Sequence, residues 1–257
     1  MNQTELKDFL EEQYLKYNVP GFIPADPISI PHRFDKKEDI EISAFLTATI
    51  AWGNRISIIK NADRFMQWMG DYPHEFIMNA AHKDFEAFEE FVHRTFNGTD
   101  TVFFLKSLQN IYQKHGGLET IFTNAYMQQG SLFVALGCFR EIFFELPHPA
   151  RTQKHVANVA KKSSGKRLCM FLRWMVRNDK RGVDFGLWKD IPASALMLPL
   201  DVHTGNVSRS LGLLKRKQND WQAVEELTAN LRHFDPNDPV KYDFALFGLG
   251  VNRDIKI

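Results

Sequence analysis

Asp201 lies in the stretch Leu198-Pro199-Leu200-Asp201-Val202-His203-Thr204, at the point where a helical pattern begins. Pro199 lacks an amide hydrogen and disfavours helix at the residue before it, so it closes off what precedes. Asp201 then falls where a helix N-cap belongs. Its carboxylate can accept hydrogen bonds from the free amides of Thr204 or its neighbours, and the helix dipole favours its charge. Local sequence leaves two readings open, a cap alone or a cap that also does chemistry. A metal site built on Asp201 and His203 is disfavoured, because two residues of spacing splay the side chains on a helix and no third ligand is evident nearby.

The second group with chemical potential is Lys161-Lys162-Ser163-Ser164-Gly165-Lys166-Arg167. Arg151 to Lys162 reads as a basic helix, and a second helix runs through Leu168, Cys169, Phe171, Leu172, Trp174 and Met175. Two helices joined by a short Gly-containing turn present free amides to one phosphate, and the helix dipole adds attraction. Lys161, Lys162, Lys166 and Arg167 make this the densest positive cluster in the chain. An ordinary solvated turn is the competing reading.

The elements that must position these residues are helical throughout. Thr4 to Tyr17 places Leu6, Phe9, Leu10, Tyr14 and Tyr17 on one face. Asn18 to Arg33 carries five Pro or Gly residues and is expected to be extended. Asp39 to Trp52 is apolar on most sides, as a buried helix would be. Gly53-Asn54-Arg55 breaks it before a helix from Ile56 to Met69. Further helices are expected at 82–96, 100–115, 118–128 and 131–146, with the 22 phenylalanines mostly in their cores. No stretch alternates long enough to make a strand. From Arg177 to Lys189 inclusive, two glycines and six charged residues mark a loop insertion, whose Trp188 is expected to pack down as an anchor, the alternative being to line a nucleobase pocket. A helix follows Asp201 through Val207, Leu211 and Leu214. Asp220 caps another, and 240–250 forms a last one. The expected class is all-α.

Composition sets outer bounds. The 257 residues suffice for one large core or two packed lobes, and 44% hydrophobic with 25% charged residues is ordinary for a globular chain. A net charge of +1 gives no global positive field, so any nucleic-acid contact must use a local patch. Two cysteines, Cys138 and Cys169, cannot supply a four-thiolate cluster. No cofactor, and specifically no iron–sulfur cluster, is expected. No apolar run suits a membrane span, and Met1 to Lys7 lacks a signal-peptide core. The expected setting is a reducing bacterial cytoplasm.

Pro199-Leu200-Asp201-Val202-His203 resembles the Pro-Val-Asp-x-His segment of the helix-hairpin-helix DNA glycosylases. That resemblance implies a two-lobed glycosylase-like fold with Asp201, a catalytic residue at a helix start, on the wall of the cleft between lobes. The lobes would be residues 38–198, including the hairpin, and 1–37 with 199–257. Asn54 and Arg55 would stand where the family fills the gap left by an extruded base. The Ser163-Ser164-Gly165 turn, Lys161, Lys162 and His203 would contact DNA. The hairpin departs from the family's Leu-Pro-Gly-x-Gly. Ser163 replaces the first Gly, and an ungapped count puts Arg167 in the nucleophile position, where a shift of one would put Lys166. A Lys amine can form a Schiff base and a guanidinium cannot. The spacer to Asp201 is also longer than the family's. Ala51-Trp52-Gly53-Asn54-Arg55, Phe171-Leu172-Arg173-Trp174-Met175-Val176-Arg177 and Asp238-Pro239-Val240-Lys241-Tyr242-Asp243 are similar to an uncharacterised bacterial family of that superfamily, domain of unknown function 2400. The implied function is a monomeric DNA-repair N-glycosylase acting on a flipped base in double-stranded DNA without strand cleavage. The alternative is a non-catalytic nucleic-acid-binding module of the same fold.

Overall fold

A computed structural model describes residues 1–252; the chain end at Ile257 lies outside the described residues. The protein is all-α, with two two-residue strands as its only sheet among those residues. The chain divides into two compact units, Pro24–Ala157 and a discontinuous one made of Met1–Ile23 and Asn158–Ile257. The boundaries therefore fall at 23/24 and 157/158, where 37/38 and 198/199 were expected. The basic turn at 163–165 belongs with Asp201, because Ser163 pairs with Asp220 in an isolated antiparallel bridge.

The Pro24–Ala157 unit is built around α2 (Lys37–Ile50), which is buried from Asp39 to Ile50. Even its Glu41 is inside, accepting from the Tyr112 hydroxyl at 2.7 Å. Helices α3 (Arg55–Trp68), α4 (Pro73–Asn79), α5 (Gly98–Lys114), α6 (Leu118–Gln129) and α7 (Leu132–Phe143) belong to the same unit. Phe45 of α2 stacks on Phe104 and meets Phe139 and Phe143 at centroid distances of 5.5 Å. The phenylalanines are core material, as their helical spacing predicts.

Three expected elements differ. Asn18 to Arg33 forms 3-10 turns at Pro20–Ala25, Pro27–Ser29 and Pro31–Arg33, since the fixed φ of proline suits the first position of such a turn. The helix expected over 82–96 is a 3-10 segment, His82–Glu90, followed by strands β1 (Val92–His93) and β2 (Phe96–Asn97). Arg94 at φ +55 turns the hairpin, and Asn97 leaves it to cap α5 through a capping box with Asp100. The basic helix expected at Arg151–Lys162 is two 3-10 turns, Ala150–His155 and Val159–Lys161. Side chains pull this segment out of helix: Arg151, Thr152 and His155 all bond the fully buried Asp100, and Asn158 caps Lys161.

In the discontinuous unit α1 (Gln3–Tyr17) packs on α11 (Tyr242–Asn252), and α11 on α9 (Val202–Ser210). Glycines permit the close approach. A Cβ on Gly248 would stand 2.3 Å from the Tyr17 ring, and one on Gly250 would stand 3.0 Å from the Cβ of His203. Helices α8 (Lys166–Val176) and α10 (Trp221–Phe234) complete this unit.

Candidate functional site

Asp201 is the N-cap of α9. Its Oδ1 accepts from the Thr204 amide at 2.8 Å, and the side chain is half-buried. The cap uses Oδ1 alone, so the role fixes the carboxylate without consuming both oxygens. The main chain at Asp201 is held as well. Asn219 donates from Nδ2 to the Asp201 carbonyl at 3.0 Å, and Arg209 donates to Asn219 Oδ1 at 2.6 Å. Gly205 keeps room for this bracket, because a Cβ there would stand 2.8 Å from Asn219 Oδ1 and 2.9 Å from Arg209 Nη1.

The basic turn comes to the same place. Ser164 Oγ lies 3.5 Å from the Leu200 carbonyl, one residue before Asp201. Gly165 precedes α8 at φ +66, a conformation only glycine adopts readily, and a Cβ on it would press on Val159 at 3.2 Å. No side chain caps α8 and its first turn carries no acid. The element before the turn is the single 3-10 turn at 159–161, with Lys162 in the left-handed region at φ +67.

Lys166 and Arg167 are both half-buried but point apart, as adjacent helical residues must. Lys166 shares one face of α8 with Met170, Arg173 and Arg177 at four, seven and eleven residues on, and its Nζ reaches Met170 Sδ at 3.3 Å. Arg173 on that face is ion-paired with Asp243 of α11. Burial pushes the Asp243 carboxyl up to about 6. Arg173 opposes the rise, Asp201 and Asp184 add to it, and Lys166 opposes it, so the charges of Lys166 and Asp201 both reach Asp243. Arg167 lies off this face, and burial lowers its guanidinium to about 10, still protonated at neutral pH.

Below this lies a buried ion network that no sequence motif announced. Arg177 is fully buried and meets Asp179, Asp184 and Asp238 at 2.8, 3.0 and 2.9 Å. Burial alone would lower its pKa, but these carboxylates outweigh burial and raise it. Asp184 also accepts from Arg173 at 3.2 Å. The 178–190 insertion therefore supplies two of the acids. It is pinned to the end of α8 by Phe185 and Trp188 amides donating to the Trp174 and Met175 carbonyls at 2.9 Å. Trp188 is fully buried against Phe171, as an anchor.

Other residues singled out from sequence are placed as follows. Lys161 and Lys162 are exposed beside the turn, and His203 is exposed at the start of α9. Asn54 and Arg55 lie in the other unit, where Asn54 caps α3 by accepting from the Ser57 amide at 3.2 Å. Gly53, at φ +101, leaves space for the Arg94 guanidinium, whose Nη1 would stand 2.4 Å from a Cβ there. Sequence reading missed Arg94, and also Lys215 and Lys217, which are exposed in the loop that the Ser163–Asp220 bridge ties to the basic turn. Arg216 of that loop is occupied, donating to Asp220 at 2.6 Å. Among the described residues, no three His, Cys, Asp or Glu side chains are grouped to hold a metal, and no helix is long and apolar enough to cross a membrane.

An all-α protein with a capped aspartate beside a basic, uncapped helix start is the class these features define. The chain belongs to the family described as protein of unknown function (DUF2400), whose model matches residues 26–252. No curated protein and no solved structure matches it.

Proposed function

We propose that the protein is a DNA-repair N-glycosylase related in fold to the two-lobed helix-hairpin-helix glycosylases, acting on a damaged base flipped out of duplex DNA. The observation that carries this reading is the attachment of the Gly165 turn to the Asp201 segment, through Ser164 to Leu200 and through the Ser163–Asp220 bridge with Asn219 on Asp201. It supports the reading because it joins the basic turn, the part proposed to bind phosphate, to the fixed carboxylate. The start of α8, which has no side-chain cap and no acid in its first turn, holds the DNA backbone together with Lys161, Lys162, Lys215 and Lys217. Asp201 orients or deprotonates the attacking water and stabilises positive charge developing on the sugar. Water, not an amine, is the nucleophile, so no strand cleavage accompanies base release.

A lesion panel with wild type and Asp201→Asn tests this. Base release lost in the variant with duplex binding kept supports it. Duplex binding by wild type with no release from any lesion moves the protein to the binding-module reading, which Ser163 at the family's glycine position favours.

A further inference from the structure

We propose that the groove between α3 and the proline-rich 3-10 turns docks a peptide segment of a partner protein, one that carries carboxylates beside a large apolar side chain. The groove lies wholly within the Pro24–Ala157 unit and encloses about 720 Å³, a size common among ligand sites. One wall is a face of α3. Ile56, Ile59, Lys60 and Asp63 recur on it at helical spacing, while Ile58, Ala62, Phe65 and Met66 are buried on the other side of the helix. Helix α3 is thus apolar on two sides at its start, and one of them opens to solvent, where Ile56 is 78% exposed. The opposite wall holds Ser29 and Ile30. Pro27 sits at the first position of the 3-10 turn there, and Asp26 caps that turn by accepting from the Ile28 amide at 3.1 Å. A wall fixed in advance lowers the ordering cost of binding.

Two observations define what fits this groove. The first is charge. Arg33, Arg55 and Lys60 line it against one acid, Asp63. Asp63 is already satisfied, since Oδ1 accepts from Arg33 and Oδ2 accepts from Gln67 at 2.8 Å. Arg33 is held further by Asp71 at 2.6 Å. Lys60 is exposed at the rim, and Arg55 stands half-buried in a first turn that carries no acid. The helix dipole adds to the positive sign there. The second observation is the Ser29 hydroxyl, whose oxygen is buried and bonds no group among the described residues. A main-chain amide or carbonyl laid along this wall would give it a partner. Among the described residues, none that lines the groove is aromatic, so a nucleobase finds no ring to stack on. A large apolar side chain of the peptide covers Ile30, Ile56 and Ile59, and its neighbouring carboxylates meet Lys60 and Arg55. The apolar anchor supplies affinity and the charges supply orientation.

The experiment selects a random heptapeptide library, displayed on phage, against the full chain and titrates the enriched peptide by fluorescence polarisation. Enriched sequences are expected to join Asp or Glu to a large apolar residue. Affinity for that peptide should fall by about tenfold or more in Ile56→Ser, which removes an apolar contact. Lys60→Glu should weaken binding and flatten its salt dependence. Ser29→Ala should weaken binding without lowering the melting temperature, because the hydroxyl it deletes bonds nothing in the unbound protein. Ile56 and Lys60 are exposed, so their variants should fold, and melting curves check this. No enrichment, enriched sequences without acids, or a peptide that binds Ile56→Ser as tightly as wild type overturns the proposal. Oligonucleotide binding that is lost in Ile56→Ser, with no peptide enriched, overturns it as well and assigns the groove to nucleic acid.

Discussion

Asn219 donates to the carbonyl oxygen of Asp201 at 3.0 Å, from a loop that begins where α9 ends. The residue that caps α9 is thus held at its main chain by the segment that follows the same helix, and Arg209 within α9 closes the bracket. Asn219→Ala should cost about 1 kcal/mol, as for one neutral hydrogen bond. On the proposed glycosylase reading, it should lower the rate of base release more than it lowers duplex affinity, because it frees the position of the carboxylate and leaves the lysines alone. Melting curves beside single-turnover assays check this; an unchanged rate would show that the cap bond to Thr204 suffices.

Asp201→Asn keeps the shape and the capping ability, since Asn caps about as well as Asp. Thermal stability should stay within roughly 1 kcal/mol of wild type. If the protein is the proposed glycosylase, base excision should fall by on the order of a hundredfold or more. Asp201→Ala should lose activity and about 1 kcal/mol together, because the cap goes too. Base release that survives in Asp201→Asn would remove Asp201 from the chemistry.

Charge reversal separates the two basic segments. Reversing Lys161 and Lys162, or Lys215 and Lys217, should weaken duplex binding and flatten its salt dependence. Each lost phosphate contact reduces the slope by about one. Titrations from low to moderate salt read the slope directly. If the Lys215 and Lys217 pair leaves it unchanged, DNA does not run along that loop.

Asp243 also makes a prediction about stability. Its folded pKa stands at about 6, above the ordinary carboxylate value of 3.8. A raised folded pKa gives stability that is present below the unfolded value and lost as pH rises through the folded one. Wild type should therefore lose stability relative to Asp243→Asn between about pH 4 and pH 7, by an amount on the order of 3 kcal/mol for two pKa units. Thermal melts of both proteins across that window check the sign. A difference that does not vary with pH would mean the carboxyl titrates alike folded and unfolded.

Arg177→Met tests the insertion. The substitution leaves Asp179, Asp184 and Asp238 without their common partner, and removing one member of a buried ion network typically costs about 3–5 kcal/mol. The loss should be large and should come with protease cleavage inside 178–190, because Asp179 and Asp184 help tie that segment to α8. Unchanged cleavage would show that the Phe185 and Trp188 amide bonds and the buried Trp188 ring suffice to anchor it.

Much of the helical order was legible because apolar residues recur at helical spacing, and the near-continuous apolar run of α2 correctly marked a buried helix. The Asp201 cap was legible because Pro199 isolates it. Residues 82–96 and 151–162 misled for different reasons. Arg94, in the left-handed region, turns 92–97 into a hairpin, and Asn97 is taken as the cap of α5. In 151–162 the local pattern suits helix, but Arg151, Thr152 and His155 are collected by the buried Asp100. The helical periodicity of Lys166, Arg173 and Arg177 was available in the sequence. Their acids were not, since Asp184, Asp238 and Asp243 are assembled by chain segments far apart. Lys215 and Lys217 escaped notice because one backbone bridge, invisible in sequence, brings them to the turn.

The unit that holds Asp201 is made of the beginning of the chain and its second half, with a complete unit inserted between. This has a consequence for synthesis. Helix α1 leaves the ribosome before the Pro24–Ala157 unit, yet its partner α11 is made after that unit, so Leu6, Leu10 and Tyr14 wait uncovered while the Pro24–Ala157 unit is translated and folds. The nascent protein is therefore without the docked α1 until α11 has been made, and its dependence on chaperones should be concentrated in Gln3–Tyr17.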